Sequence, residues 1–398
     1  MKNLEDKIVI LSAVRTPIGK YGGIFRDTSA VSLGVAAAVE AMKKAGVAPD
    51  QVEEVIFGMA RQAGNRPNPA RQILYRSGIP IDRPAFTVNK ACASGMKAIA
   101  LAAHSLLLGE NRIVLAGGTE NMSQIPYLLD GARWGYRLGD GVVVDAMYRD
   151  GLFCPLADMI MGETADLLAD KFGISRREQD EYALESQLKA KRAAETGRFK
   201  DEVVPVIVKG KGGQERRISD DEHPRPDTTL EKLAELPPVF KKGGTVTAGN
   251  SSGLTDGAAA LILTTLSEAK KLGARPLAEV VGFVSAAVDP KEMGLGPVPA
   301  TRKVLKSSNL ELSDIDVIEI NEAFAAQVLA CERELKWDPA RRNIKGGAIA
   351  LGHPIGCTGA RITVTLLHSL IQEDKEVGLA TLCVSGGQGM AIVLKRAI

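Results

Sequence analysis

The chain has 398 residues, 45% of them apolar and 25% charged, with 50 Lys and Arg set against 48 Asp and Glu. That length exceeds what one hydrophobic core usually holds and predicts two or three domains. A net charge of +2 without a concentrated basic face excludes nucleic acid as an expected partner.

The opening apolar stretch is too short for a membrane span and is preceded by acidic residues, so it reads as a first strand rather than a signal peptide. Strands are predicted over 8–13, 55–59 and 113–116, with helices over 33–44 and 93–108, the latter rich in Ala and Leu at helical spacing. The middle, 119–250, carries Gly, Pro and charges, one amphipathic helical pattern over 176–194, and breakers at 210–213 and 224–226. Strands follow at 278–284, 317–320, 378–384 and 390–394, with helices over 300–305 and 359–370. Strand–helix alternation of this kind implies an α/β fold with parallel sheets covered by helices on both faces.

The two ends resemble each other. Val52-Glu53-Glu54-Val55-Ile56-Phe57 matches Ile315-Asp316-Val317-Ile318-Glu319-Ile320 at an offset of 263. Ser94-Gly95 with His104-Ser105-Leu106 matches Thr358-Gly359 with His368-Ser369-Leu370 at 264. Each block then runs into an apolar strand with paired glycines, Gly117-Gly118 and Gly386-Gly387. Duplicated halves follow, with 119–250 as an insertion in the first. The expected division is 1–118 plus 251–270 as one core domain, 119–250 as an inserted loop domain, and 271–398 as the second core domain.

Four stretches carry chemistry. Cys92, in Asn89-Lys90-Ala91-Cys92-Ala93-Ser94-Gly95-Met96, sits where a strand passes into a helix. Backbone N–H groups and the helix dipole there favour a thiolate and predict a lowered thiol pKa, although an isolated cysteine is more often a buried structural one. Asn321-Glu322-Ala323-Phe324 follows a strand, where α/β folds place their sites; taken alone, Asn321 reads as a helix cap. His353 is held among glycines and Pro354 in the run from Gly346 to Arg361. Cys383 ends an apolar strand before the turn Ser385-Gly386-Gly387, which offers backbone N–H donors to an oxyanion. His104 and His368 fall inside helical patterns and read as packing or surface residues. The five cysteines are scattered without the spacing of a zinc or redox motif, so no metal is expected and a reducing, cytoplasmic setting is the default.

Together these stretches, with Ala13-Val14-Arg15-Thr16-Pro17-Ile18-Gly19 and the run from Gly244 to Gly253, resemble the signature regions of the thiolase family in order and spacing. The resemblance covers nearly the whole chain. It implies a five-layered α-β-α-β-α core with an inserted loop domain, and acyl transfer between coenzyme A and a cysteine. It makes Cys92 the nucleophile, His353 the group that takes its proton, and Cys383 the acid and base at the substrate α-carbon. It places Asn321 and His353 at one oxyanion hole and the N–H groups of Cys92 and Ser385 at another. The family more often has glycine where Ser385 stands. It assigns coenzyme A contacts to Arg225 (adenine), Ser252 (pantetheine), Met161 and Met293, with no cofactor, because coenzyme A is itself substrate and product. It further implies a homotetramer paired through 122–137.

Within the family, Asn-Lys-x-Cys-Ala-Ser-Gly-Met and Met293-Gly294-Leu295-Gly296-Pro297 resemble the short-chain form, which condenses two acetyl-CoA into acetoacetyl-CoA through an acetyl-Cys92 intermediate. The run from Ala350 to Gly359 also resembles the degradative, broad-range 3-ketoacyl-CoA form, and Ile160 stands where some short-chain enzymes have an aromatic or histidine. A ketoacyl-synthase-like condensing enzyme needs two histidines, and only His353 is well placed. A non-catalytic scaffold is expected to lose Cys92, His353 or Cys383. An oxidoreductase lacks its G-x-G-x-x-G after the first strand. Cys357, four residues beyond His353, and a regulatory Cys92–Cys383 disulfide are left open.

Overall fold

The computed structural model describes residues 6–209 and 213–397. Part of the breaker at 210–213, together with the first five residues and residue 398, lies outside the described residues. Nine strands run along the main sheet: β1 Ile8–Arg15, β2 Glu54–Gly58, β3 Ala85–Val88, β4 Ile113–Asn121, β5 Thr255–Thr265, β6 Ala278–Ala287, β7 Val317–Ile320, β8 Val377–Val384 and β9 Gln388–Arg396. The longer helices are α1 Ala30–Ala45, α2 Pro69–Arg76, α3 Ser94–Leu108, α4 Met161–Phe172, α5 Arg176–Glu195, α6 Pro297–Ser307, α7 Ala325–Leu335 and α8 Ile355–Gln372.

In space the strands follow the order β7-β8-β9-β6-β1-β5-β4-β2-β3, and a two-residue strand, Gly19–Lys20, pairs with β5. Under the repeat, β2 and β7 correspond, each lying parallel to its neighbour β4 or β8. The two half-sheets join edge to edge where Val9 and Ile10 of β1 meet Glu279 and Ala278 of β6.

The expected parallel sheets are therefore mixed: only β2–β3, β2–β4 and β7–β8 run parallel. The reason is local. Three residues, Ser385 to Gly387, link β8 to β9, and a loop that short permits only an antiparallel hairpin. The pairing register also separates the two glycine pairs. Gly117 and Gly118 lie inside β4, opposite Phe57 and Gly58, whereas Gly386 and Gly387 form the hairpin turn with φ of 83° and 81°.

Alternation along the strands builds five layers. Val9, Leu11 and Val14 of β1, with Ile113 and Leu115 of β4, face an outer layer made by α1 and α2. Ile8, Ile10 and Ala13, with Val114 and Ala116, face inward onto α3 and α8. From the other side Met390, Ile392 and Leu394 of β9 cover the same two helices, while Ala391 and Val393 face the outer helices α6 and α7. Helix α3 turns Met96, Ile99, Ala100 and Ala103 into the layer between the half-sheets and leaves Lys97 and His104 on its outer side. It meets α8 at glycines equivalent under the repeat. A Cβ on Gly95 would lie 2.8 Å from Ala360 N, and one on Gly359 would lie 2.5 Å from Met96 N.

The segment between β4 and β5 contains α4 and α5 and is fastened over the second half. Glu322 accepts from Tyr182 Oη at 2.9 Å and Ser186 Oγ at 2.7 Å, both on α5. It also accepts from Asn343 Nδ2 at 2.8 Å and from Ile349 N–H at 3.0 Å.

Candidate active site

Cys92 lies two residues before α3, at the end of a turn stiffened by its neighbours. Ala91 holds φ +45°, a left-handed conformation that costs a non-glycine residue about 1 kcal/mol or more. Asn89 Oδ1 accepts from Ala91 N–H at 2.9 Å. Ser94 Oγ accepts from Lys90 N–H at 2.8 Å and donates to Ala91 C=O at 2.7 Å. Burial raises the Cys92 thiol above its ordinary value, against the lowering by Arg61 and by the N–H groups of Ser385 and Cys92 itself. The lowered thiol pKa expected from the helix start is therefore corrected: loss of solvent outweighs the backbone dipoles.

His353 is buried, with Nδ1 2.6 Å from Thr358 Oγ1. That hydroxyl spends its one hydrogen on Pro354 C=O at 3.0 Å, so it accepts from Nδ1–H. The tautomer follows: Nε2 keeps the lone pair and is the basic nitrogen. Burial, with Arg361 and Arg61, holds the imidazole down to about 3, so it is neutral near pH 7. Cys383, at the end of β8, is fully buried and its thiol is pushed well up by burial, with Cys92 and Cys331 adding to the shift. All five cysteines are free thiols. Cys357 is buried on α8 in the central layer, its thiol raised to about 12.

Asn321 follows β7 and is fully buried, and neither its Oδ1 nor its Nδ2 bonds to another group of the protein. It does not cap α7, which begins after Phe324 without a side-chain cap, so the helix-cap reading fails.

One cavity of about 390 Å³ is lined by Cys92, His353, Cys383, Ser385, Arg225, Ser252, Met161 and Met293. Eight of the nine residues singled out in the sequence thus share a wall; Asn321 is not part of its lining, although Ala323 and Phe324 of the same motif are. His104 and His368 are elsewhere. His104 is exposed with its ring edge on Phe283, and His368 bonds Ala13 C=O at 2.9 Å. The structure adds Arg61, Phe240, Phe324 and Ile355 to the wall. None belongs to a pattern that sequence spacing would isolate, although Phe324 and Ile355 lie inside motifs already noted.

The wall is set by the inserted segment. Ser252 N–H donates to Ala323 C=O at 3.0 Å, and Ala325 N–H to Asn250 C=O at 2.9 Å, so 250–252 runs beside the start of α7. Arg225 N–H donates to Gln187 Oε1 at 2.9 Å, and His223 Nδ1 bonds Ala350 C=O at 2.8 Å. The arginine's loop is thereby tied both to α5 and to the short helix Ala348–Leu351 that leads to His353.

A duplicated α/β core that gathers two thiols and a neutral imidazole around one apolar cavity defines an enzyme of acyl-group chemistry. Residues 8–267 match the thiolase N-terminal domain and residues 274–396 the thiolase C-terminal domain, and the chain belongs to the thiolase family, as an acyltransferase. A Staphylococcus aureus (strain COL) protein named "Probable acetyl-CoA acyltransferase" is 50% identical over 390 residues, 98% of this chain and 99% of that one. The acetyl-CoA acetyltransferase of Pseudomonas aeruginosa is 49% identical over 389 residues, with the same coverage. Among solved structures, the Bacillus anthracis acetyl-CoA acetyltransferase superposes with a TM-score of 0.96 at 47% identity, covering 98% of this chain and 99% of that one. Human mitochondrial 3-ketoacyl-CoA thiolase does so at 0.96 and 43%, with the same coverage.

Proposed function

We propose that the chain is an acetyl-CoA C-acetyltransferase, condensing two acetyl-CoA reversibly into acetoacetyl-CoA and CoA by a ping-pong route through acetyl-Cys92. The observation that carries this reading is the pairing of Cys92 and Cys383, one from each half, on a single cavity with His353. A relative solved in complex with CoA, the human mitochondrial 3-ketoacyl-CoA thiolase, supports CoA as the carrier. Arg225 and Arg61 are cations on an otherwise mainly apolar wall, suited to an anionic nucleotide joined to an uncharged arm.

In the first half-reaction Cys92 Sγ attacks the thioester carbonyl while Nε2 of His353 takes the thiol proton. The N–H groups of Cys92 and Ser385 hold the developing oxyanion, and the departing CoA sulfur receives the proton back. In the second, Cys383 passes its thiol proton to Nε2 of His353 and, as thiolate, removes an α-proton from another acetyl-CoA. His353 and Asn321 stabilise the enolate oxygen, the carbanion attacks acetyl-Cys92, and Cys92 leaves as thiolate and takes its proton from His353, which restores both thiols and the neutral imidazole. Burial that keeps Cys383 a thiol at rest makes its thiolate a strong base. We also propose assembly into a homotetramer through 122–137, where Tyr127, Leu129, Trp134 and Tyr136 are exposed. Five free thiols suit a reducing compartment such as the cytoplasm.

A second reading, a 3-ketoacyl-CoA thiolase of wider chain length, is favoured by the 43% identity to the human mitochondrial enzyme. Incubation with acetyl-CoA alone should add one acetyl group, found by mass spectrometry on Cys92. Thiolysis should be fastest with acetoacetyl-CoA and fall with longer 3-ketoacyl chains. Equal or rising rates with longer chains select the second reading, and an unmodified Cys92 rejects both.

A further inference from the structure

Glu120, near the end of β4, is fully buried and belongs to none of the chemistry-bearing motifs. Its carboxylate joins the two halves of the molecule. Oε2 accepts from Ala60 N–H at 3.0 Å and from Gly356 N–H at 2.8 Å, and Oε1 accepts from Arg61 N–H at 3.2 Å. Gly356 lies in the first turn of α8, three residues after His353, and a Cβ there would stand 2.8 Å from Oε2. The bonds continue past Ala60, whose C=O accepts from Asn89 Nδ2 at 3.1 Å, and the same side chain's Oδ1 holds Ala91 N–H at 2.9 Å. Ala91 is the left-handed residue just before Cys92. An unbroken series of hydrogen bonds thus runs from the His353 loop through Glu120, the Ala60 peptide and Asn89 to the turn that presents Cys92.

We propose that Glu120 is a positioning residue for acyl transfer: with Asn89 it fixes the distance and angle between His353, in one half, and Cys92, in the other. The proposal rests on the catalytic reading of Cys92 and His353 given above. Each end alone is stiff, Cys92 by its turn and His353 by Thr358, but nothing within either half sets one against the other. The carboxylate does so, because its two oxygens collect N–H groups from residues 60, 61 and 356, and a shift of the halves breaks at least one bond. Effective molarity is sensitive to such displacement, and an error of about 1 Å between reacting groups costs on the order of 100-fold in rate. Burial lifts Glu120 to about 7, against the pull of those three N–H donors and of the Arg61 charge.

Glu120→Gln keeps the shape, loses the charge and sets an amide N–H₂ among N–H donors. The test is active-site titration by acetyl-CoA burst, which counts acetylatable Cys92, followed by turnover per titrated site. The expected result is a full count of sites, KM within about twofold, and kcat per site down 10- to 100-fold. Asn89→Ala removes one exposed side chain at the other end of the series, and it should lower kcat per site at least fivefold with the thermal midpoint nearly unchanged. A merely structural role predicts fewer titrated sites, each turning over at the wild-type rate, and that result in either variant overturns the proposal. Absence of an acetyl burst in the wild type would instead reject the functional reading itself.

Discussion

Helices α3 and α8 occupy equivalent places in a repeated fold, α8 beginning three residues earlier in the register, and their first turns do different work. At the 264-residue offset Cys92 corresponds to Gly356 and Ser94 to Thr358. Where α3 is preceded by a thiol facing the cavity, α8 gives a bare N–H to Glu120. Where the Ser94 hydroxyl folds its own turn by bonding Lys90 and Ala91, the Thr358 hydroxyl bonds Pro354 and has its acceptor side left for His353. A hydroxyl in the first helical turn, free to bond backward, was thus available in both halves. One half uses it to hold a nucleophile, the other to aim a base.

The sharpest way to break this comparison separates the two thiols. Cys92→Ala should lower both acetyl-CoA/CoA label exchange and acetoacetyl-CoA thiolysis by about 10⁴ or more, since both need the covalent carrier. Cys383→Ala should lower thiolysis by about 10³ while exchange stays within about tenfold, because exchange moves no α-proton. If exchange and thiolysis fell together in Cys383→Ala, the division between the halves would be wrong.

Next in size is the crossing of the two helices. Gly359→Ala places a Cβ 2.5 Å from backbone that cannot swing aside, and should destabilise the fold by about 2–3 kcal/mol in urea unfolding. Gly95→Ala should behave alike, since the contact is reciprocal. A loss under about 0.5 kcal/mol in both would mean that the helices do not meet as described. Smaller again is Thr358→Val, which keeps the volume but removes the acceptor for Nδ1–H. It should reduce kcat about tenfold with rescue by Thr358→Ser, the equivalent of one hydrogen bond. Ser94→Ala should cost stability of about 1 kcal/mol with less effect on kcat.

Much of the site was legible because chemistry in this fold sits at strand ends and in glycine-bounded loops, where residue type and spacing stand out. Cys92, His353, Cys383 and Ser385 are all of that kind. Glu120 and Thr358 were not legible, for a physical reason. Glu120 is one acid in an apolar strand, and its partner Gly356 is 236 residues away; nothing local marks the contact. Thr358 was aligned with Ser94 by the repeat, but that match says only that both lie in the first turn of a helix. β5 escaped notice because it is buried on both faces, so Thr255–Thr265 lacks polar alternation and is rich in alanine.

The last predicted effect tests the protonation state on which the mechanism stands. His353 holds its imidazole near 3 because burial, with Arg361 and Arg61, opposes the cation, whereas the unfolded chain takes that proton near the ordinary 6.5. Between those values the unfolded state binds more protons, so stability is present above 6.5 and is lost as pH falls toward 3. Glu202 works in the same direction lower down. Burial would raise its carboxyl, but Lys345 and Arg15 prevail and hold it at about 2, so its share is lost below the ordinary 4.5. His223 and His368 are lowered as well and share the upper window. His353→Gln should therefore flatten only part of the loss between pH 6.5 and 5, making the drop in unfolding free energy smaller than in the wild type by about 1–2 kcal/mol. A resting imidazolium–thiolate pair with Cys92 gives the opposite sign. There His353 would be raised, its stabilisation would be greatest at acid pH, and the substitution would steepen the loss. The sign of one difference in slope thus decides whether Cys92 waits as a thiol beside a neutral base or as a preformed ion pair.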